Sequence, residues 1–134
     1  MSADAAVRAM IDSLRELSNF GERAAPDVAL AVRGELESTI AREQSPDGEP
    51  WEKRKSGSGQ LLPNATSRLY VAAVGSVVYI RLKGNEARHH RGRARGGAVR
   101  RVIPYGPTLP DPIAIAIRNT LDKHFEQITG GGNG

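Results

Sequence analysis

The residues of this chain best equipped for chemistry lie close together in its second half: Arg88, His89, His90, Arg91, Arg93, Arg95, Arg100 and Arg101. Arginine presents a planar fork of donors that fits phosphate or carboxylate oxygens, and the glycines among these residues let a backbone follow an irregular surface. From Arg81 to Arg101 eight basic residues stand against one acid, Glu86, whereas the rest of the chain carries eleven basic and fourteen acidic residues. The formal charge of +4 thus conceals a polycationic segment on a mildly acidic body, which predicts a polyanionic partner. No aromatic residue is interleaved, so the expected contacts are to phosphates, sequence-independent and salt-sensitive, without base stacking. The same residues also read as a solvated loop, or as one that pairs with acids of a neighbouring subunit.

Other chemistries lack their residues. His89 and His90 are adjacent and cannot readily converge on one ion, the third histidine, His124, is distant, and Glu86 is the nearest carboxylate. With no cysteine there is neither a thiolate site nor a disulfide framework, and no metal or cofactor is expected. No Gly-x-Ser-x-Gly elbow, Gly-Lys-Ser/Thr phosphate loop or His-Glu-x-x-His helix occurs. Glu35 and Glu37, two apart on a helix, point different ways and read as a solvated face. The expectation is a protein that is not an enzyme, with His124 partly buried on a helix face.

The elements that must position the basic run follow from periodicity. Val7, Met10, Ile11, Leu14 and Leu17 keep helical spacing, which predicts an amphipathic helix over 4–18, closed by Asn19-Phe20-Gly21. Pro26 suits a first helical turn, and Val28, Val32, Leu36 and Ile40 predict a second helix over 26–43, paired antiparallel or crossed with the first. Glu52–Ser67 is polar and reads as loop, with Ser56-Gly57-Ser58-Gly59 as a linker. Leu69–Val74 and Val77–Leu82 flank Gly75-Ser76, which predicts a type II′ hairpin with Val78, Ile80 and Leu82 inward and Tyr79 and Arg81 outward. Residues 83–98 read as loop and Val99–Ile103 as a short third strand. Pro104 to Pro107 form an elbow, and Asp111 caps a last helix over 112–128 striped by Ile113, Ile117, Leu121, Phe125 and Ile128. The Gly130–Gly134 tail reads as flexible.

This order predicts an α+β fold: a small antiparallel sheet, made of a hairpin plus a short third strand, packed with two N-terminal helices and one C-terminal helix. At 134 residues, one domain over 1–129 is expected. An apolar fraction of 39% with only six aromatic residues suggests that burial is completed in an oligomer. No run approaches the ~20 apolar residues of a membrane helix, and the N-terminus lacks a signal peptide's apolar core. The expectation is therefore a soluble protein without a membrane partner, used inside a cell or inside a particle assembled there.

The one tryptophan ends the string Pro46-Asp47-Gly48-Glu49-Pro50-Trp51. Asp-Gly is a tight-turn dipeptide and the prolines fix φ, so Trp51 is presented behind a rigid turn as a core anchor or as an inter-subunit plug. This string, with three later segments, resembles the phage virion morphogenesis (tail-completion) family, in which a helical N-terminus precedes a Pro-Asp-Gly-x-x-Trp turn. The later segments are Leu61–Leu69, then Asn85-Glu86-Ala87-Arg88-His89-His90-Arg91-Gly92, similar to the family's Asn-x-Ala-x-x-His-x-Gly, and Ile103-Pro104-Tyr105-Gly106-Pro107, similar to Ile-Pro-x-x-Pro. The resemblance spans roughly residues 5–128. It departs at Tyr105-Gly106-Pro107-Thr108, where the family has Ala-Arg-Pro-Phe, and in the arginine density from Arg88 to Arg101.

The resemblance implies a structural virion protein at the head–tail junction, a tail terminator or neck protein that assembles in the host bacterial cytoplasm. It implies a homo-oligomer, commonly a hexameric ring, in contact with tail-tube and head-connector proteins, with genomic double-stranded DNA passing the channel. In such a ring the Arg88–Arg101 loops would face DNA, while Pro46, Asp47, Gly48, Trp51, Pro104 and Pro107 shape the turns used in assembly. A free nucleic-acid-binding protein that uses the same basic loop is the alternative.

Overall fold

The structure is a computed structural model and describes residues 3–54, 59–92 and 99–129, without the side chains of residues 13, 14, 16–18 and 129. Its elements run α1 (Ala3–Ser18), α2 (Phe20–Ala41), α3 (Ala65–Arg68), β1 (Leu69–Val74), β2 (Val77–Leu82), α4 (Asn85–Arg91) and α5 (Asp111–Thr129). This is a small α+β domain, with helices α2 and α5 packed on each other and α2 also against a two-stranded antiparallel sheet.

Helix α2 is the spine. Ala24, Ala25, Val28, Ala29, Val32, Leu36 and Ile40 form its buried stripe, and Leu36 is fully enclosed. It starts at Phe20, six residues before the expected boundary, because Pro26 sits inside the helix on its exposed side. There the proline removes a single i→i−4 bond, while the buried stripe on both sides of it holds the turn together. Only Asn19 interrupts the helical run, and Arg23 N–H donates to the Asn19 carbonyl at 3.0 Å. Gly21 is helical, and a β-carbon there would lie 3.1 Å from Ser76 Cβ, so the hairpin tip rests on the first turn of α2.

Helix α1 touches both α2 and α5, while the more extensive packing of α2 is with α5. Val7, Met10 and Ile11 are 50%, 59% and 42% exposed. On α5, Ile113 is buried and Ile117 and Leu121 pack against the same core, whereas Phe125 lies outside it, edge-on to Phe20 at 6.2 Å between ring centres. His124 is partly buried, its Nε2 2.6 Å from Asp27 Oδ2.

The hairpin has the expected register, Leu69 opposite Leu82 through Val74 opposite Val77. Gly75 has φ +60° and Ser76 does not share the positive φ, the combination that a type II′ turn requires. Val78, Ile80 and Leu82 pack toward the core while Tyr79 and Arg81 are exposed. The third strand expected at Val99–Ile103 is not formed; that segment runs beside α4, and the loop expected at 83–98 contains this helix. Of the expected linker Ser56-Gly57-Ser58-Gly59 the first three residues lie outside the described residues, as does the tail at Gly130–Gly134.

Candidate functional site

Helix α4 is short and closes at Gly92, which adopts the left-handed conformation at φ 71°. A β-carbon there would come within 3.0 Å of Val99 Cγ2, so glycine also admits the returning chain. That chain bonds to the helix end and not to a sheet edge. Arg100 N–H donates to the His89 carbonyl at 2.9 Å, and Val102 N–H donates to His90 Nδ1 at 3.1 Å. The amides that a third strand would have offered to β2 are thus already occupied.

The arginines of this segment divide by direction. Arg100 is buried; its Nε donates to the Glu52 carbonyl at 2.9 Å and its Nη1 to His89 Nδ1 at 2.8 Å. Arg101 donates to the His90 carbonyl and its guanidinium carbon lies over Tyr105, 3.8 Å from the ring centre. Arg88 and Arg91 are exposed and make no ion pair among the described residues. Arg93 and Arg95 lie outside the described residues. Of the eight expected DNA-facing side chains, the structure therefore turns Arg100 and His90 inward, commits Arg101 and His89 to internal bonds, and leaves Arg88 and Arg91 toward solvent.

Both histidines are held neutral. Burial, then the charges of Arg101 and Arg91, lowers the His90 pKa to about 4. Burial followed by Arg100 lowers that of His89, with Glu86 acting in the opposite sense. The geometry agrees: each Nδ1 accepts a hydrogen bond, so in each ring the proton resides on Nε2. Glu86, at the start of α4, is buried as well. Among the described residues no group of three or more His, Asp or Glu side chains is placed to hold a metal ion.

The turn at 46–51 is built as a bracket under this cluster. Ser45 N–H donates to the Glu49 carbonyl at 2.8 Å, Glu49 N–H to Ser45 Oγ at 3.1 Å, and Trp51 N–H to the Glu43 carbonyl at 2.8 Å. Pro46 is buried, Asp47 is exposed, and Gly48 turns the chain at φ 90°. Trp51 is 5% exposed and packs in the core with Leu36, Leu61 and Val102, while its indole N–H donates to the Arg101 carbonyl at 2.7 Å. Within the protomer, then, it is a core anchor that also fixes the backbone of the basic segment. Pro104 and Pro107 flank Tyr105, which is 66% exposed and edge-on to His90.

One cationic surface was absent from the sequence reading of sites. A cleft of about 320 Å³ opens between β2 and α4, with Ile80, Leu82, Ala87 and Ile103 as apolar lining and Arg81, Lys83 and Arg91 as charged lining, beside His90. The signal was the i, i+2 spacing of Arg81 and Lys83 at the end of a strand. No protein-family model, curated protein or solved structure matches this chain.

Proposed function

We propose that this chain is a structural subunit that acts by assembling, as a tail-completion or neck protein at the head–tail junction of a tailed phage, ringing the DNA channel and carrying out no turnover. One observation carries the assembly part: large apolar side chains are exposed in the protomer on the Val7–Met10–Ile11 stripe of α1, and again on the outer face of the sheet at Tyr70, Val74, Val77 and Tyr79. Contiguous exposed apolar surface of this kind is characteristic of protein contacts. The phage setting comes from the sequence resemblance at Pro46–Trp51, Asn85–Gly92 and Ile103–Pro107. Arg88 and Arg91 are the described arginines of the basic run available to DNA in such a ring.

Size-exclusion chromatography with light scattering, followed by electron microscopy, tests this reading. Closed rings of uniform copy number support it. A monomer that retards duplex DNA at moderate salt supports instead a free nucleic-acid-binding protein, a reading favoured by the exposure of Arg88 and Arg91. In virions, replacing Arg91, Arg93 and Arg95 by glutamate is expected to lower DNA retention or infectivity while rings still form; unaltered virions would count against a channel-facing loop.

A further inference from the structure

The cleft between β2 and α4 lies along a strand edge. Lys83 N–H donates to the Arg68 carbonyl at 3.1 Å, and this bond sets the phase of the ladder. In an antiparallel pair, alternate residues exchange bonds with the partner strand. Tyr70–Arg81, Ala72–Tyr79 and Val74–Val77 are therefore the bonded pairs, and Val78, Ile80 and Leu82 aim their N–H and C=O groups away from β1. Ile80 and Leu82 both line the cleft, together with the adjoining Arg81 and Lys83. Among the described residues no loop or helix backbone group bonds to them.

The opposite edge is treated differently. On β1, the outward carbonyl of Leu69 accepts Arg33 Nη1 at 3.0 Å, and the Thr66 carbonyl before it accepts Arg33 Nη2 at 3.3 Å. Arg33 is held in turn by Glu37 at 2.7 Å. The β1 edge is thus covered at its Leu69 end by a side chain of α2, whereas the β2 edge faces a cleft at Ile80 and Leu82.

From this arrangement we infer that β2 is a docking edge for an extended acidic segment of another polypeptide, which adds to the sheet as a third strand. Main-chain bonds to Ile80 and Leu82 would supply affinity, as in other cases of strand addition. Alternate side chains of the guest would meet the apolar lining at Ile80, Leu82 and Ile103, and its carboxylates would meet Arg81, Lys83 and Arg91. The charge selects the occupant. Pairing of two β2 edges would bring like cations side by side, which disfavours a second copy in this position. A phosphodiester strand, which has acceptors only, would leave both the apolar lining and the outward strand carbonyls unused. This edge is distinct from the apolar α1 stripe, so the inference does not rest on the assembly reading.

A labelled eight-residue peptide of alternating valine and glutamate tests it on the full chain. Binding is expected to slow amide exchange at Ile80 and Leu82 at least tenfold. Methylating the backbone nitrogens of one alternate set, either the valines or the glutamates, is expected to weaken binding at least tenfold, and methylating the other set is expected to be tolerated. The exposed pair Lys83→Glu and Arg91→Glu should shift preference to a valine–lysine peptide. Unchanged exchange at Ile80 and Leu82, equal tolerance of both methylated peptides, retention of the glutamate preference by the double variant, or displacement of the peptide by a short DNA duplex would each overturn the proposal.

Discussion

His90 sits on α4 with its Nδ1 accepting the Val102 amide and with Arg101 and Arg91 nearby, so adding a proton to it breaks a bond and places like charges together. Its pKa is about 4 in the folded chain against an ordinary 6.5. Above pH 6.5 neither folded nor unfolded chain protonates it and its contribution is complete. Between 6.5 and 4 the unfolded chain takes up the proton and the folded chain does not, so stability falls as pH falls, by up to about 3 kcal/mol. Urea unfolding at pH 7 and pH 4.5 measures this slope, and His90→Gln, which keeps an acceptor for Val102, is expected to flatten it. The arginines yield a second prediction at this scale. Arg100→Glu places an acid where a buried guanidinium met the Glu52 carbonyl and His89, and is expected to cost about 3 kcal/mol or more. Arg88→Glu, at an exposed position, is expected to stay within about 0.5 kcal/mol. Thermal unfolding of the two variants separates the structural arginines from those free to meet a partner. Sequence marked all of them alike, because composition reports charge and not direction; the division follows from which carbonyls, Glu52 and His90, the folded chain brings within reach.

The elements read best from sequence where local chemistry decides them. The hairpin is one case, since a glycine at the first central turn position and alternation at Val78, Ile80 and Leu82 specify turn type and facing without distant help. Gly75→Ala isolates that contribution. A β-carbon at Gly75 finds nothing nearer than Glu22 Oε1 at 3.8 Å, so the cost is that of the backbone conformation, about 1 kcal/mol. Gly75→Asn is expected to cost less, because asparagine tolerates positive φ better, and the urea midpoints of the two variants give the order. Where tertiary contacts decide, local signals misled. Pro26 reads as a helix start, yet the buried alanines and valines before and after it carry the helix through. Val99–Ile103 has strand-forming residues, but α4, hidden in sequence among arginines and histidines with no apolar period, captures its amides first. The Trp51 anchor was legible from its turn; the carbonyl it binds, fifty residues away at Arg101, was not.

For the whole molecule, the two burial patterns carry opposite consequences. Helix α2 hides its stripe against β1, β2 and α5, and the protomer's stability is concentrated there. Helix α1 carries a stripe of comparable regularity and leaves Val7, Met10 and Ile11 in water. Among the described residues those three side chains lie outside the core, and an amphipathic stripe gains stability when another surface covers it. If neighbouring copies provide that surface, Met10→Glu with Ile11→Glu is expected to lower the mass seen by light scattering to that of one chain. The dilute protomer should lose no more than about 0.5 kcal/mol of unfolding free energy, since neither side chain contributes to its core. Sedimentation at several concentrations, paired with urea unfolding at the lowest, reads both quantities on one sample. A double variant that keeps the assembled mass would remove α1 from the interface and leave the outer sheet face, with Tyr70, Val74, Val77 and Tyr79, as the surface that must bring copies together.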